Sequence, residues 1–500
     1  MKHRNRTALL LLAAMLTASL AACGDSAGET TTTGDATQAT ETAAVTEPAE
    51  YTAPEVDYGG EAFTFYVYHY TGYTGSYKIC AYDGITAEAS NGDIINDAIL
   101  KRNQVVESAL NVKIDTFREG QGAQALINSI LADDKAYDAA LLEQQRLSSF
   151  LGDEGYLYDL RSMDTLNLDA SWVNSSVNDT MTFLDRQYIM LSDICMYSML
   201  SGGCLYFSKS LVDTNQLDDP YQMVYDGKWT IDNFIGLSKQ VSADLNGDGV
   251  FDQNDSFGMN GSPTVMSMCI RSSDIGITDV SDITAPKLIL DNEKTINVID
   301  KLTGLLSNEQ VNMQPDKFKK NAADDVWYDI VLPMFKNNQL LFTFNWVFYA
   351  LELRDMDTDF GILPMPKYDE TQSQYYSYLS DNWSEFLVVP SNNDNPAMTG
   401  NVINAMGYYS QQILYPEVIN RTVMDKTIRD DAAADMLDLI FRNTKFDAND
   451  FFRWDDMALY YNIYDRSITK KSNLFASGFE KIGKSMQKKM ENTMKIIANQ

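Results

Sequence analysis

Between Glu61 and Gln144 the apolar residues change period four times, and that alternation restricts the fold more than any other feature of the chain. EAFTFYVYHY (61–70) alternates aromatic and β-branched side chains with a period of two, the signature of a strand. Ile95, Ile99, Val106 and Leu110 then recur at helical spacing, and NVKIDTF returns to strand. QGAQALINSILADD repeats the helix, through Leu131, and YDAALL repeats the strand. Three strands joined by two helices form crossover units, which give a parallel sheet and an α/β fold. Such a sheet binds ligands beyond the carboxyl ends of its strands. Here those ends are Tyr68, His69 and Tyr70 after the first strand, and Glu143-Gln144 after the third.

A second α/β region begins at GGCLYFSKSLVD (202–213). In GKWTIDNFIGLSKQV, Thr230 is placed to cap a helix that buries Phe234 and Leu237. QLLFTFNWVFYALELRDM (339–356) reads as a strand turning into a helix; DFGILPMPKYD and WSEFLVVPSN read as further strands. From Ala397 the pattern is helical, ending in a helix that aligns Ile482, Met486, Met490 and Met494 on one stripe and its lysines on a solvated face. The 443 residues after Asp57, in a chain that is 45% apolar, suffice for more than one lobe.

The N-terminus, MKHRNRTALLLLAAMLTASLAACG, carries Lys2, Arg4 and Arg6 ahead of an apolar run too short to span a bilayer, as in a secretory signal. Leu20-Ala21-Ala22-Cys23 resembles a bacterial lipobox, which implies a signal peptide over 1–22 and a lipid anchor, such as palmitate, on Cys23. Residues 23–57 contain almost no large apolar side chains before Tyr51 and are expected to form a disordered tether. The expected location is the extracellular face of the bacterial cytoplasmic membrane. The formal charge of −31 becomes −34 once the three positive residues of the signal are removed, which argues against nucleic acid and against direct contact with anionic lipid. His69 is the one histidine after the signal, so histidine triads and multi-histidine metal sites are excluded by count. Cys80, Cys195, Cys204 and Cys269 show no zinc spacing; a Cys195–Cys204 disulfide and buried free thiols both stay open.

Several segments, in their order and spacing, resemble the extracellular solute-binding proteins of sugar-type ABC importers. They are NDAILKRNQVVESALNVKI, YDAALLEQQRLSSFLGDEGYLYDL, LYFSKSLVD with PYQMVYDGKWTIDNF, LRDMDTDFGILPMPKYD and WSEFLVVP. The resemblance implies two α/β lobes of the type II periplasmic-binding-protein class, joined by a hinge that the chain crosses more than once, with a ligand cleft between the lobes. Mapped here, the first crossing falls near 195–205 and the second near 380–388. That places the N-terminal lobe in 58–196 plus 384–425 and the C-terminal lobe in 197–383 plus 426–500. The implied protein is a monomer that captures a carbohydrate, an oligosaccharide, and delivers it to the membrane subunits of an ABC permease without breaking a bond.

A sugar site needs aromatic platforms for C–H faces and fixed polar groups for hydroxyls. Asn345 and Trp346 sit where a strand turns into a helix; Asp381, Asn382 and Trp383 sit at the second crossing, and Asp193 just before the first. With Tyr68, His69, Tyr70 and Glu143 they form the expected ligand set, whereas Trp229 and Trp454 read as core. DLNGDGVFDQND (244–255) has calcium-loop spacing: Asp244, Asn246, Asp248, the Val250 carbonyl, Asp252 and Asp255, with Gly249 at the sharp turn. Asp255 stands where the bidentate Glu is usual and no exit helix follows, so a structural calcium clasp is expected rather than a sensor. Two alternatives belong to other classes. A surface carbohydrate-active hydrolase would need only paired carboxylates, but no eightfold βα pattern and no G-x-S-x-G elbow is present. A calcium-dependent adhesion or scaffold lipoprotein would want repeated modules, and the sequence has none.

Overall fold

Strand β1 (Glu61–Tyr68), helix α1 (Ile94–Leu110), strand β2 (Val112–Glu119), helix α2 (Gln124–Ala132) and strand β3 (Ala139–Glu143) follow one another as their apolar periods require. The structure is a computed structural model that describes residues 51–68, 84–119, 123–151, 155–323, 325–353, 356–381, 383–424 and 431–499. β2 and β3 both pair with β1 in parallel, and β9 (Glu385–Val388) joins β3 in antiparallel, giving the order β9-β3-β1-β2. α1 starts sharply because the Asp93 carboxylate accepts the N–H groups of Ile95 and Asn96. Helix α3 (Gln144–Leu151) leaves directly from the end of β3.

The second sheet is built from β4 (Gly203–Ser208), β5 (Phe257–Asn260), β6 (Asn312–Met313), β7 (Leu340–Trp346) and β8 (Phe360–Pro364), in the order β6-β5-β7-β4-β8. Its first three members run parallel, while β4 is antiparallel to both β7 and β8. Helices α4 (Ile231–Val241) and α5 (Pro263–Ser272) flank it, and Thr230 caps α4 by accepting the Asn233 N–H at 3.3 Å. Trp229 is fully buried here, its Nε1 donating to the Pro364 carbonyl.

Each sheet has its own apolar core, with Phe63, Val106, Leu141 and Phe386 in the first and Phe234, Met266, Phe342 and Leu363 in the second. Ile95, Ala98 and Ile99 of α1 already belong to the second core; otherwise membership changes from Cys195 to Met196 at the first crossing and between Tyr375 and Leu379 at the second. The C-terminal third does not divide as the sequence suggested. Leu414 and Val418 belong to the second core, whereas Phe446, Phe451 and Trp454, then Met490, Met494 and Ile497, belong to the first. A helical stripe reveals that a face is buried but not against which sheet, so the blocks 384–425 and 426–500 each serve both cores. α6 (Pro396–Tyr409) lies on α1, α7 (Asp431–Arg442) on β8, and α8 (Ala448–Phe452) on α3, while the last helix, α9 (Phe475–Asn499), spans both cores.

Residues 51–57 also depart from expectation. Rather than continuing the tether, Tyr51 packs edge-on against Trp172 (5.6 Å) and close to Tyr408 (5.1 Å), and the Asp57 carboxylate accepts from the Gly59 N–H and from Asn111 Nδ2. The lone aromatic at the tether's end is what holds it down. Cys195, Cys204 and Cys269 are buried free thiols, so Cys195 and Cys204 form no disulfide. Cys23, the signal peptide, the tether to residue 50 and Cys80 lie outside the described residues. Among the described residues no helix is long and apolar enough to cross a membrane.

Candidate functional site

A cavity of about 530 Å³ opens between the second sheet, the second crossing and the 449–464 segment. It gathers Asn345, Trp346, Asp381 and Trp383, four of the residues singled out from sequence. Trp346 and Phe344 alternate onto one face of β7, both half-buried, with centroids 5.3 Å apart in an edge-to-face arrangement. Gly203, on the neighbouring β4, makes room for them: a Cβ there would stand 3.3 Å from Phe344 and 3.4 Å from Trp346. The Tyr206 hydroxyl, within 2.9 Å of both the Trp346 and the Val347 carbonyls, fixes the point where the strand turns. Trp383 closes another side, edge-on to Phe348 at 5.8 Å.

The floor is charged but internally compensated. Arg271, from the last turn of α5, forms an ion pair with Asp450 of α8 and lies 5.1 Å from the Tyr378 ring centroid. Burial pushes the Asp450 carboxyl up to about 7 against the pull of Arg271, and Arg271 is held firmly protonated by that partner despite its burial. Arg453 faces Asp381 at 3.6 Å. Each arginine of the cavity therefore already has an aspartate. By contrast, two buried polar atoms of lining residues, Asn260 Oδ1 and Trp327 Nε1, have no hydrogen-bond partner, an arrangement that costs about 1–3 kcal/mol per group unless something else supplies the bond.

The other sequence-derived residues are placed differently. Tyr68 and Glu143 are buried at their strand ends but do not line the cavity. Arg146 covers the Tyr68 ring at 5.3 Å and donates to its hydroxyl at 3.1 Å, and Gln145 Nε2 donates to Glu143 Oε2 at 3.0 Å. Burial raises the Glu143 carboxyl to about 7, opposed by Gln145 and Arg146 and reinforced by the charge of Asp381. Asp193 lines a separate cavity of about 530 Å³. Its carboxyl too is raised by burial to about 7. Its place just before the first crossing puts it on this cavity and not on the one at Trp346. His69, Tyr70 and Asn382 lie outside the described residues. Trp454 is core, stacked on Phe452 with Nε1 donating to Thr493 Oγ1.

Sequence reasoning missed Asn260, Arg271, Trp327, Tyr378, Asp450 and the Tyr460-Tyr461 pair. One signal was within reach. Asn260 ends β5, so the strand-end rule, applied to the second sheet as well as the first, finds it. The others come from helix ends and irregular segments whose approach depends on tertiary packing.

The 244–255 loop is closed by its own backbone. Asp244 accepts the N–H groups of Gly247 and Gly249, Asp255 those of Leu245 and Asp252, and Asp248 that of Val250. Among the described residues no three His, Cys, Asp or Glu side chains are grouped so as to hold a metal ion. Asn246 and Val250 are exposed, while Asp255 is fully buried.

The sequence matches no protein-family model and no curated protein. Solved structures do match, over nearly their full length. An ABC substrate-binding protein from Listeria monocytogenes in complex with cycloalternan is 14% identical with a TM-score of 0.51, covering 88% of this chain and 99% of its own. A sugar transporter from Rhizobium etli in an open conformation is 11% identical with a TM-score of 0.55, covering 87% and 99%. A cyclo/maltodextrin-binding protein complexed with maltotetraose is 11% identical with a TM-score of 0.55, covering 86% and 98%. At these identities the likeness establishes the fold, that of two-lobed periplasmic-binding-protein-like chains, and no more.

Proposed function

From the premise that the chain has the fold of the ABC-importer solute-binding proteins, we propose that it is an extracellular substrate-binding protein that captures a carbohydrate, an oligosaccharide by preference, in the cavity at Trp346. The observation that carries this reading is the lining: Trp327, Trp346 and Trp383 gathered with Asn345 and Asp381 at one cavity. Trp327, Trp346 and Trp383 offer flat faces to sugar C–H groups, and Asn345 and Asp381 offer acceptors and donors to hydroxyls. The paired arginines leave no spare cationic charge for an anionic ligand. A volume of about 530 Å³ falls within the range of about 300–1,000 Å³ typical of small-molecule sites.

The mechanism follows from the two cores. A ligand touching groups carried by both lobes stabilises the closed form by its differential affinity, and the closed surface docks on the membrane subunits of a permease. Cys23 carries the lipid anchor that keeps the monomer at the membrane face. In the 244–255 loop Asp244, Asn246, Asp248, the Val250 carbonyl, Asp252 and Asp255 would hold a structural calcium, which would tie the loop together. Glu143 and Asp381 influence one another but do not favour hydrolysis, since Glu143 is engaged by Gln145 and Arg146 and lies off the cavity. Calorimetric titration of the purified protein with glucose, maltose, cellobiose, xylobiose and maltotetraose tests the reading. Saturable binding without product release is expected; hydrolysed product, or no binding by any of the five, refutes it.

A further inference from the structure

The last helix divides its residues by face. Phe479, Met486, Met490, Met494 and Ile497 of α9 are buried, and Lys481, Lys484, Lys488 and Lys495 are exposed on the side opposite. At 3.6 residues per turn the four lysines fall within about 60° of one another, and at 1.5 Å per residue they make a stripe about 21 Å long. None of the four has an ion pair or a hydrogen bond among the described residues, whereas Lys489 of the same helix is paired with Asp456. Glu480 and Glu491 lie along one edge of the stripe, and Glu491 accepts from Gln487 Nε2 at 2.9 Å. In a chain with 70 acidic and 39 basic residues, four unopposed lysines on one face reverse the local sign of the surface.

We propose that this stripe rests on the anionic lipid headgroups of the membrane that holds the anchor. The formal charge of −31 weighs against attraction of the body as a whole. At physiological ionic strength, however, charges more than about 8 Å apart are largely screened, so the face laid nearest the bilayer decides the sign. The N-terminal chain brings that face within reach. Cys23, the anchor in the transport reading on which this inference rests, is 28 residues from Tyr51, which packs against Trp172 and Tyr408. A flexible chain of that length averages roughly 30 Å end to end. The anchor makes the contact intramolecular, so an affinity too weak to recruit a free protein is enough to orient a tethered one. The buried methionine face of α9 holds the lysines in one row, and each lysine near such a surface strengthens binding about fivefold.

The chain from Gly24 onward, made without signal or lipid, is sedimented with vesicles of equal parts phosphatidylglycerol and phosphatidylcholine, and with vesicles of phosphatidylcholine alone. At about 0.01 M salt it is expected to bind the anionic vesicles and not the neutral ones, and at about 1 M to be released. Lys484→Gln and Lys488→Gln should each weaken binding about fivefold. Replacing Lys481, Lys484, Lys488 and Lys495 together by Gln should abolish it. Replacing Lys101, Lys113, Lys239 and Lys320 by Gln removes the same charge from other exposed positions and should leave binding within about twofold. Three results overturn the proposal: no binding to the anionic vesicles, with or without binding to soluble polyphosphate; equal binding to the neutral ones; or equal loss in the two quadruple variants. Saccharide calorimetry on the same variants reads the Trp346 cavity separately, so the lipid contact and the capture of sugar can each fail alone.

Discussion

Trp346→Ala removes the ring that Gly203 and Tyr206 hold over the cleft. A fully covered indole buries about 150–250 Å², and Trp346 is already half-buried, so roughly 100 Å² is left for a ligand to cover. At about 25 cal/mol per Å² this is worth about 2.5 kcal/mol, or roughly seventy-fold in Kd. Phe344, edge-on at 5.3 Å, takes up part of the vacated space, which brings the expected loss to about 1–2.5 kcal/mol, five- to seventy-fold. Isothermal calorimetry against the best saccharide measures it. Trp454→Phe is the control, because that ring stacks on Phe452 inside the first core and its loss should change stability and not affinity. A Trp346→Ala protein that folds and binds within about twofold of the parent refutes the platform, and with it the argument from strand alternation.

Two further perturbations read the electrostatics. Burial raises the carboxyls of Asp138 to about 6 and of Glu143, Asp193 and Asp450 to about 7. A carboxyl raised in the folded state favours folding most below its unfolded value near 4, and that contribution disappears as pH rises through 6–7. Tm should therefore fall between pH 5 and 8, and Asp138→Asn, which keeps an acceptor for the Thr64 N–H, should flatten the slope; a Tm that rises over this interval contradicts the assignment. Calcium at about a hundred times its Kd should stabilise the folded protein by roughly 2.7 kcal/mol. Asp248→Asn keeps the acceptor for the Val250 N–H and should abolish the difference in Tm between calcium and chelator; no difference in the parent protein disposes of the clasp.

The first three strands and two helices were legible because each has one strong period, and their parallel pairing follows from the connection lengths. Core membership changes between Cys195 and Met196, whereas the sequence reading drew the lobe boundary between residues 196 and 197. The cleft was half legible. Asn345, Trp346, Asp381 and Trp383 converge because a strand end and a crossing are places where backbone geometry alone exposes side chains. Arg271 and Asp450 were not legible, since an ion pair between residues 179 positions apart leaves no local pattern. Tyr68 and Glu143 satisfied the strand-end rule, yet Arg146 covers the first and Gln145 bonds the second, both from the helix that follows β3. The rule locates the edge of a sheet and says nothing of what the next helix lays across it.

The pair Arg271–Asp450 ties the two cores together at the floor of the cavity. Arg271 belongs to a helix of the second core and Asp450 to a segment of the first, and Asp447, three residues earlier, accepts the N–H groups of Ile277 and Thr278 as well as the Thr278 hydroxyl. A buried ion pair is a poor source of net stability, but breaking it by separation leaves two uncompensated charges in low dielectric. Lobe movement that pulled α8 away from α5 would incur that cost in full, whereas rotation about the pair would not. In the lobe closure proposed above, the pair and the Asp447 bonds would act as the pivot. The cavity floor would then stay fixed while the walls at Trp346 and Trp383 changed their distance to the first sheet, so that ligand contacts at the walls, not at the floor, would favour closure.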